Sequence, residues 1–162
     1  AELSMRNAKG WVTTTYTACP DSEPNVCSNN SPADAAYLPI YCLANGFNGF
    51  LRWAWMNWTD VPLQDTRFRM FTPGDTYMVY PGGRSSIRFE RVIEGIQQTE
   101  KVRLLREEYT QTGKTIELQR LNELVSDFVS GTVSAEKPSS FYVDQLESLL
   151  NDIPQKTFGK KH

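Results

Sequence analysis

The chain has 162 residues, with 17 Lys plus Arg against 19 Asp plus Glu and a formal net charge of -2. That is about one domain, and short of the roughly 200–250 residues that close an eight-stranded α/β barrel. With 40% hydrophobic and 22% charged residues it has the composition of a chain that folds around a core, not of a disordered or collagen-like one. The charge balance offers no basic field to phosphate backbones, so nucleic acid is not an expected partner. No apolar run approaches the roughly 18–20 residues that cross a bilayer, so a membrane is not expected either.

Trp11–Thr17 is a β-branched and aromatic run between Gly10 and Cys19-Pro20, and predicts a strand. A loop rich in Asp, Pro, Asn and Ser leads to Ser31. Ser31 before Pro32 has the form of an N-cap with proline at the first helical position, predicting a helix through about Ala44 that Asn45-Gly46 stops. Gly49–Trp55 is almost continuously apolar, the pattern of a strand covered on both faces, as in parallel sheets. A polar and aromatic loop spans 56–74, and Thr76–Tyr80 predicts a third short strand, ended by Pro81-Gly82-Gly83.

From Ser85 onward the apolar spacing changes from two to 3.6. Phe89, Val92, Ile93 and Ile96, drifting toward Leu105 and Tyr109, give one stripe. Leu121, Leu124, Val125 and Phe128 give a second, and Leu146, Leu149, Leu150 and Ile153 a third. Three helices follow, separated by Gly113 and by 130–138, with a frayed Lys-rich tail from Lys156.

Three cysteines, Cys19, Cys27 and Cys42, cannot all pair within one chain; a Cys19–Cys27 bridge fits the spacing, although nothing in the sequence proves it. The only histidine is His162, which argues against a Cys/His zinc site and against a cysteine nucleophile with a nearby base. No metal and no cofactor are expected. Asn29-Asn30-Ser31 and Asn57-Trp58-Thr59 are formal glycosylation triplets. Pro81-Gly-Gly-Arg84 before a helix suggests an anion seat but lacks phosphate-loop spacing. Arg91 with Glu94 reads as an anchoring ion pair, and Glu107-Glu108 as a solvated helix face. Arg88 and Glu90 are expected to fasten the last strand to its helix.

Of 19 aromatic residues, 13 lie in residues 1–82, including all four tryptophans. Arg52, Trp53, Trp55, Asn57 and Trp58 crowd one strand end. A pyranose has an apolar C–H face that lies on a flat ring and hydroxyls that need Asn, Asp or Arg partners, so this cluster suits a sugar. The same indoles would equally suit a hydrophobic core. Strand alternation places Trp53, Trp55 and Asn57 on one side and Arg52 on the other.

Gly49–Trp58, Asp65–Arg69, Gly74–Gly82 and Ser86–Ile96, preceded by Trp11–Thr17 with Cys19-Pro20, together resemble the C-terminal part of the catalytic domain of glycoside hydrolase family 123 over about residues 11–106. The resemblance implies an α/β fold: the C-terminal portion of a (β/α)8 barrel, about three parallel strands within residues 1–110, followed by a helical extension over 111–162. It implies a β-N-acetylgalactosaminidase-like activity that retains configuration by substrate assistance, the 2-acetamido oxygen attacking the anomeric carbon. The family's adjacent Asp-Glu pair has no counterpart here, because no Asp-Glu dipeptide occurs in the sequence, and no catalytic residue is assigned.

By position, the resemblance places Tyr16, Trp53, Trp55, Asn57, Trp58 and Asp75 in the sugar pocket. The partner it implies is an N-acetylhexosamine-containing glycan. Three strands leave two open sheet edges, so the chain is expected to be a fragment that associates with a second copy or with a missing N-terminal part. The alternative is a freestanding module that binds a glycan or a protein without hydrolysing it.

Overall fold

Ser31 and Gly46 delimit the first long helix as their residue types require. In the computed structural model, which describes residues 2–17, 24–129 and 133–153, the Ser31 hydroxyl accepts the Ala33 N–H, and Gly46 closes the helix in the left-handed region at φ 78°. The elements are α1 (Glu2–Ala8), β1 (Thr14–Tyr16), α2 (Pro32–Asn45), β2 (Gly49–Leu51), a 3-10 turn (Pro81–Gly83), α3 (Ile87–Thr112), α4 (Thr115–Ser126) and α5 (Ser139–Asp152). The three expected C-terminal helices are α3, α4 and α5. Cys19, and with it the Cys19–Cys27 bridge, and the tail from Lys156 lie outside the described residues.

The fold is mixed α/β. β1 and β2 pair in parallel, Thr14 with Gly49 through Tyr16 with Leu51, and α2 is the crossover between them. Asn48 sets the register just ahead of the pair: its side-chain oxygen accepts the Thr13 N–H at 2.7 Å and its own N–H reaches the Thr13 carbonyl at 2.7 Å. Both strands are shorter than the residue pattern predicts. Trp11 lies outside the sheet, 48% exposed, with the Lys9 ammonium 4.6 Å from its ring centre. Leu51 is 55% exposed, so β2 is not covered on both faces by the described residues.

The third strand is not formed. Residues 76–80 make only an isolated antiparallel bridge, Met56 to Tyr77, and a second one from Tyr80 to Arg84. The segment is held through its backbone carbonyls instead: those of Gly74, Asp75 and Tyr77 accept guanidinium N–H groups from Arg88 and Arg52, and those of Thr76, Met78 and Val79 accept from the Asn57 N–H, the Ser86 hydroxyl and the Trp58 indole. Two parallel strands, not three, are present among the described residues.

Tyr37 and Ile40 of α2, Val102 and Leu105 of α3, Leu121 and Val125 of α4, and Val143 and Leu146 of α5 meet in one buried cluster. At about 1.5–3 kcal/mol for each buried aliphatic side chain, this cluster is the main source of stability. A smaller cluster of Val26, Ala35, Leu38, Met78 and Val92 lies under the sheet end, with Phe50, Trp55 and Phe89 against it. Ser139 donates to Asp34 across 105 residues, and the Lys101 ammonium caps the Leu150 carbonyl, which ties α5 to α2 and α3. α1 was not foreseen from the sequence. It buries no residue and is held by polar contacts, Arg6 Nε to the Thr13 hydroxyl and the Asn7 amide to the Gly46 carbonyl.

α2 and α3 cross where Gly95 faces Ala36. A Cβ on Gly95 would stand 2.3 Å from the Ala36 carbonyl oxygen, so only glycine permits this approach. Gly95→Ala should therefore force the two helices apart and lower the unfolding free energy by about 1–3 kcal/mol, measured by urea denaturation with an unchanged m-value.

Candidate functional site

The C-terminal ends of β1 and β2 lead directly into the aromatic loop, and a buried polar cluster fixes what lies there. Asp75 is 1% exposed. Its Oδ1 accepts from Arg52 at 2.7 Å, its backbone carbonyl accepts from the same Arg52 nitrogen at 2.7 Å, and its Oδ2 accepts the Trp53 indole N–H at 3.2 Å. The Cys27 sulfur lies 3.9 Å from Oδ1. Arg52 Nε and Nη1 are buried without a hydrogen-bond partner, as is the Thr76 hydroxyl, so this guanidinium is held by the Asp75 carboxylate and carbonyl, and the carboxylate supplies its counter-charge.

A second guanidinium supports the first. Arg88, at the start of α3, donates to the carbonyls of Val26 and Gly74 at 2.7 Å and of Tyr77 at 2.9 Å. It thereby fastens the 74–77 segment to α3. Burial, the largest effect, lowers its pKa from the usual arginine range, and the nearby Arg52 charge acts in the same direction. Gly74 is required under it: at φ 76°, a Cβ there would stand 2.2 Å from the Ser28 hydroxyl oxygen and 2.9 Å from Arg88 Nη1. Glu90 does not pair with Arg88. It takes the Ser85 hydroxyl at the surface, while Arg91 and Glu94 form the expected ion pair.

The indoles divide between surface and core. Trp53 is 43% exposed, anchored by its N–H on Asp75, and its ring lies 5.3 Å from that of Phe71. Trp58 is 40% exposed and donates to the Val79 carbonyl at 2.8 Å. Tyr16, at the end of β1, is 47% exposed. Asn57 is exposed, with its backbone N–H on the Thr76 carbonyl. Trp55 turns the other way, edge-on to Phe89 at 6.1 Å, and with Pro39, Phe50, Val92 and Ile96 lines an apolar cavity of about 460 Å³ at the start of β2.

The alternation expected to group Trp53 with Trp55 and to send Arg52 away fails, because the strand ends at Leu51. Beyond it, Arg52 and Trp53 turn to the same carboxylate. Phe71 and Phe68 join the rim without having been singled out from the sequence. Their only local signal is an aromatic pair spaced by three inside a turn that the Phe71 N–H closes on the Phe68 carbonyl. Arg84 is exposed after the 3-10 turn. Burial pushes the Cys42 thiol up to about 11, which makes it a poor nucleophile. Among the described residues no cluster of His, Cys, Asp and Glu fits a metal ion.

The arrangement offers half-exposed aromatic faces, two of them with their N–H groups already satisfied, on a rigid polar base. Asp75→Ala should leave Arg52 buried and uncompensated at a cost of about 3–5 kcal/mol, and should release Trp53. Chemical denaturation reads the first effect, and a red-shifted indole emission of the folded variant reads the second.

Residues 1–105 match the sequence profile of the glycoside hydrolase 123 catalytic domain. No curated protein matched the chain. Among solved structures, the fold is similar to that of a family 123 glycoside hydrolase from Clostridium perfringens, described for the hydrolysis of glycolipid glycans, with a TM-score of 0.73 and 24% identity over 92% of this chain. The chain spans 28% of the length of that protein. With nearly two thirds of its length inside the catalytic-domain profile, this chain belongs to glycoside hydrolase family 123.

Proposed function

We propose that the chain forms the C-terminal part of a glycosidase barrel and supplies one aromatic wall of its sugar pocket. The observation that carries this reading is Trp53: an indole pinned through its N–H to a buried carboxylate, with its ring left 43% exposed beyond the end of a parallel strand. A side chain needed only for packing would be turned inward, as Trp55 is. The β1–α2–β2 unit supports the same reading, being the repeating unit of (β/α)8 barrels, whose sites lie at strand C-terminal ends.

In this proposal Trp53 and Trp58 stack on the C–H face of an N-acetylhexosamine, Tyr16 and Asn57 edge the same rim, and Asp75 acts through Trp53 as a positioning residue. Trp55 backs the wall from the core. The substrate class is a glycan ending in β-linked N-acetylgalactosamine. The reaction of the intact domain is retaining hydrolysis in which the 2-acetamido oxygen displaces the leaving group, one carboxylate steadies the acetamido N–H and a neighbouring one acts as acid and then base. That pair is assigned to polypeptide outside this sequence, which has no Asp-Glu dipeptide.

A second reading rests on the same absence: the wall is complete within these residues, so the chain would bind a glycan without cleaving it. Titration with N-acetylgalactosamine, followed by tryptophan emission, should saturate. Trp58→Ala should weaken binding about tenfold, roughly 1.4 kcal/mol, while costing much less stability than the roughly 3–5 kcal/mol expected for a fully buried tryptophan. A flat titration removes the second reading, and hydrolysis of a chromogenic N-acetyl-β-galactosaminide by this chain alone removes the assignment of the carboxylates.

The outer edges of β1 and β2 pair with no further strand among the described residues. We propose that these edges associate, with each other in a second copy or with further strands of the family's catalytic domain. Size-exclusion chromatography with light scattering should show a dimer or larger species for the chain alone; a stable monomer overturns the proposal.

A further inference from the structure

Among the described residues, five buried side-chain polar atoms find no hydrogen-bond partner, and four of them gather in one region: Arg52 Nε and Nη1 and the hydroxyl oxygens of Thr17 and Thr76. The parallel register ends on Tyr16 with Leu51, and continued by one residue it sets Thr17 beside Arg52. Arg52 Nη2 takes the Asp75 carbonyl at 2.7 Å, and that peptide leads into Thr76. The two hydroxyls thus approach one guanidinium from different segments, the end of β1 and the chain after Gly74.

Charge in this region is unbalanced. The Arg52 side chain is 0% exposed, and its one carboxylate partner is Asp75. Arg88, also buried, spends its hydrogen bonds on the carbonyls of Val26, Gly74 and Tyr77, and among the described residues no carboxylate forms an ion pair with it. The two guanidinium groups are near enough for the Arg52 charge to lower the Arg88 pKa. The other buried carboxylate, Asp34, accepts instead from the Asn25 N–H, the Asn30 amide and the Ser139 hydroxyl. Two buried cations therefore share one anion, and a charge held out of water is costly unless it is compensated.

The chemistry of the unpartnered atoms selects the ligand. A guanidinium N–H only donates, and a threonine hydroxyl turns its proton toward whatever accepts it. Donors beside an excess of positive charge call for an acceptor that carries negative charge. All four atoms are closed to solvent, so that acceptor is small: a spherical ion takes hydrogen bonds from several directions at once, where a phosphate or a sugar would need an open site. We propose that Arg52, with the Thr17 and Thr76 hydroxyls, binds one monatomic anion, chloride under ordinary conditions. The ion balances the second guanidinium and holds Arg52 against Asp75, and it does not depend on the sugar reading above.

The test is thermal unfolding of the full chain at fixed ionic strength, with sodium gluconate replaced stepwise by sodium chloride or bromide. The melting temperature should rise by about 3–5 °C for each tenfold increase in halide above the binding midpoint, and sulfate should not reproduce the rise. Thr17→Val and Thr76→Val keep the side-chain shape and remove one donor each; either should move the midpoint to about tenfold higher halide. If these groups hold only water, the variants shift the melting temperature equally at every halide concentration, which overturns the proposal. A melting temperature indifferent to halide, or an equal rise in sulfate, overturns it too. Crystals of the chain grown in bromide should show an anomalous scattering peak beside the Arg52 guanidinium, and a map without one counts equally against the site.

Discussion

Asp75 accepts from Arg52 and Trp53, residues 23 and 22 positions earlier in the chain, at a place almost closed to water. In that setting a carboxylate and a guanidinium fix each other's geometry, because neither has solvent to fall back on. The consequence is directional. The strand end, the aromatic loop and the segment after Gly74 are locked in one arrangement, and the indole next to the ion pair is forced to present its ring outward. Arg88 completes the arrangement by drawing three carbonyls toward the start of α3.

This polar base also holds the segment that follows the aromatic loop. The carbonyls of Gly74, Asp75 and Tyr77 accept from guanidinium groups, and the chain from Gly74 to Tyr77 runs as a buried strap. Stability comes from elsewhere, chiefly the cluster shared by α2, α3, α4 and α5, with a tight α2–α3 crossing at Gly95. The rim is thus free to expose aromatic surface: the helices supply the hydrophobic burial, and the strap supplies the rigidity that a binding surface needs.

The tryptophans divide between surface and core. Trp55 packs against Phe89 and serves the smaller core, while Trp53 and Trp58 have their N–H groups satisfied by protein and their rings at the surface. An indole with its polar atom satisfied presents an almost purely apolar face, which is the complement of the C–H face of a sugar and a poor complement of a charged or strongly hydrated ligand. Phe71 packs against Trp53 and Phe68 against Phe71, with the Arg69 guanidinium over the Phe68 ring.

Helix ends were legible in the residues because their signals are local. Ser31 before Pro32, Gly46 and Gly113 each act within one turn of their own position. The family motifs and the indoles near one strand end were legible for the same reason. The sequence by itself therefore determined where α2 begins and stops and where α3 ends, that aromatic residues collect around the second strand, and that it holds no adjacent Asp-Glu pair. Only the tertiary structure decided that the strands stop after three residues, that Arg52 and Trp53 turn to one carboxylate, that Trp55 belongs to the core, and that Phe71 extends the rim. The placing of Arg52, Trp53, Trp55 and Phe71 depends on burial and on partners 18 to 34 residues away, and a buried charge seeks its counter-charge across the fold whatever the alternation of the strand would dictate.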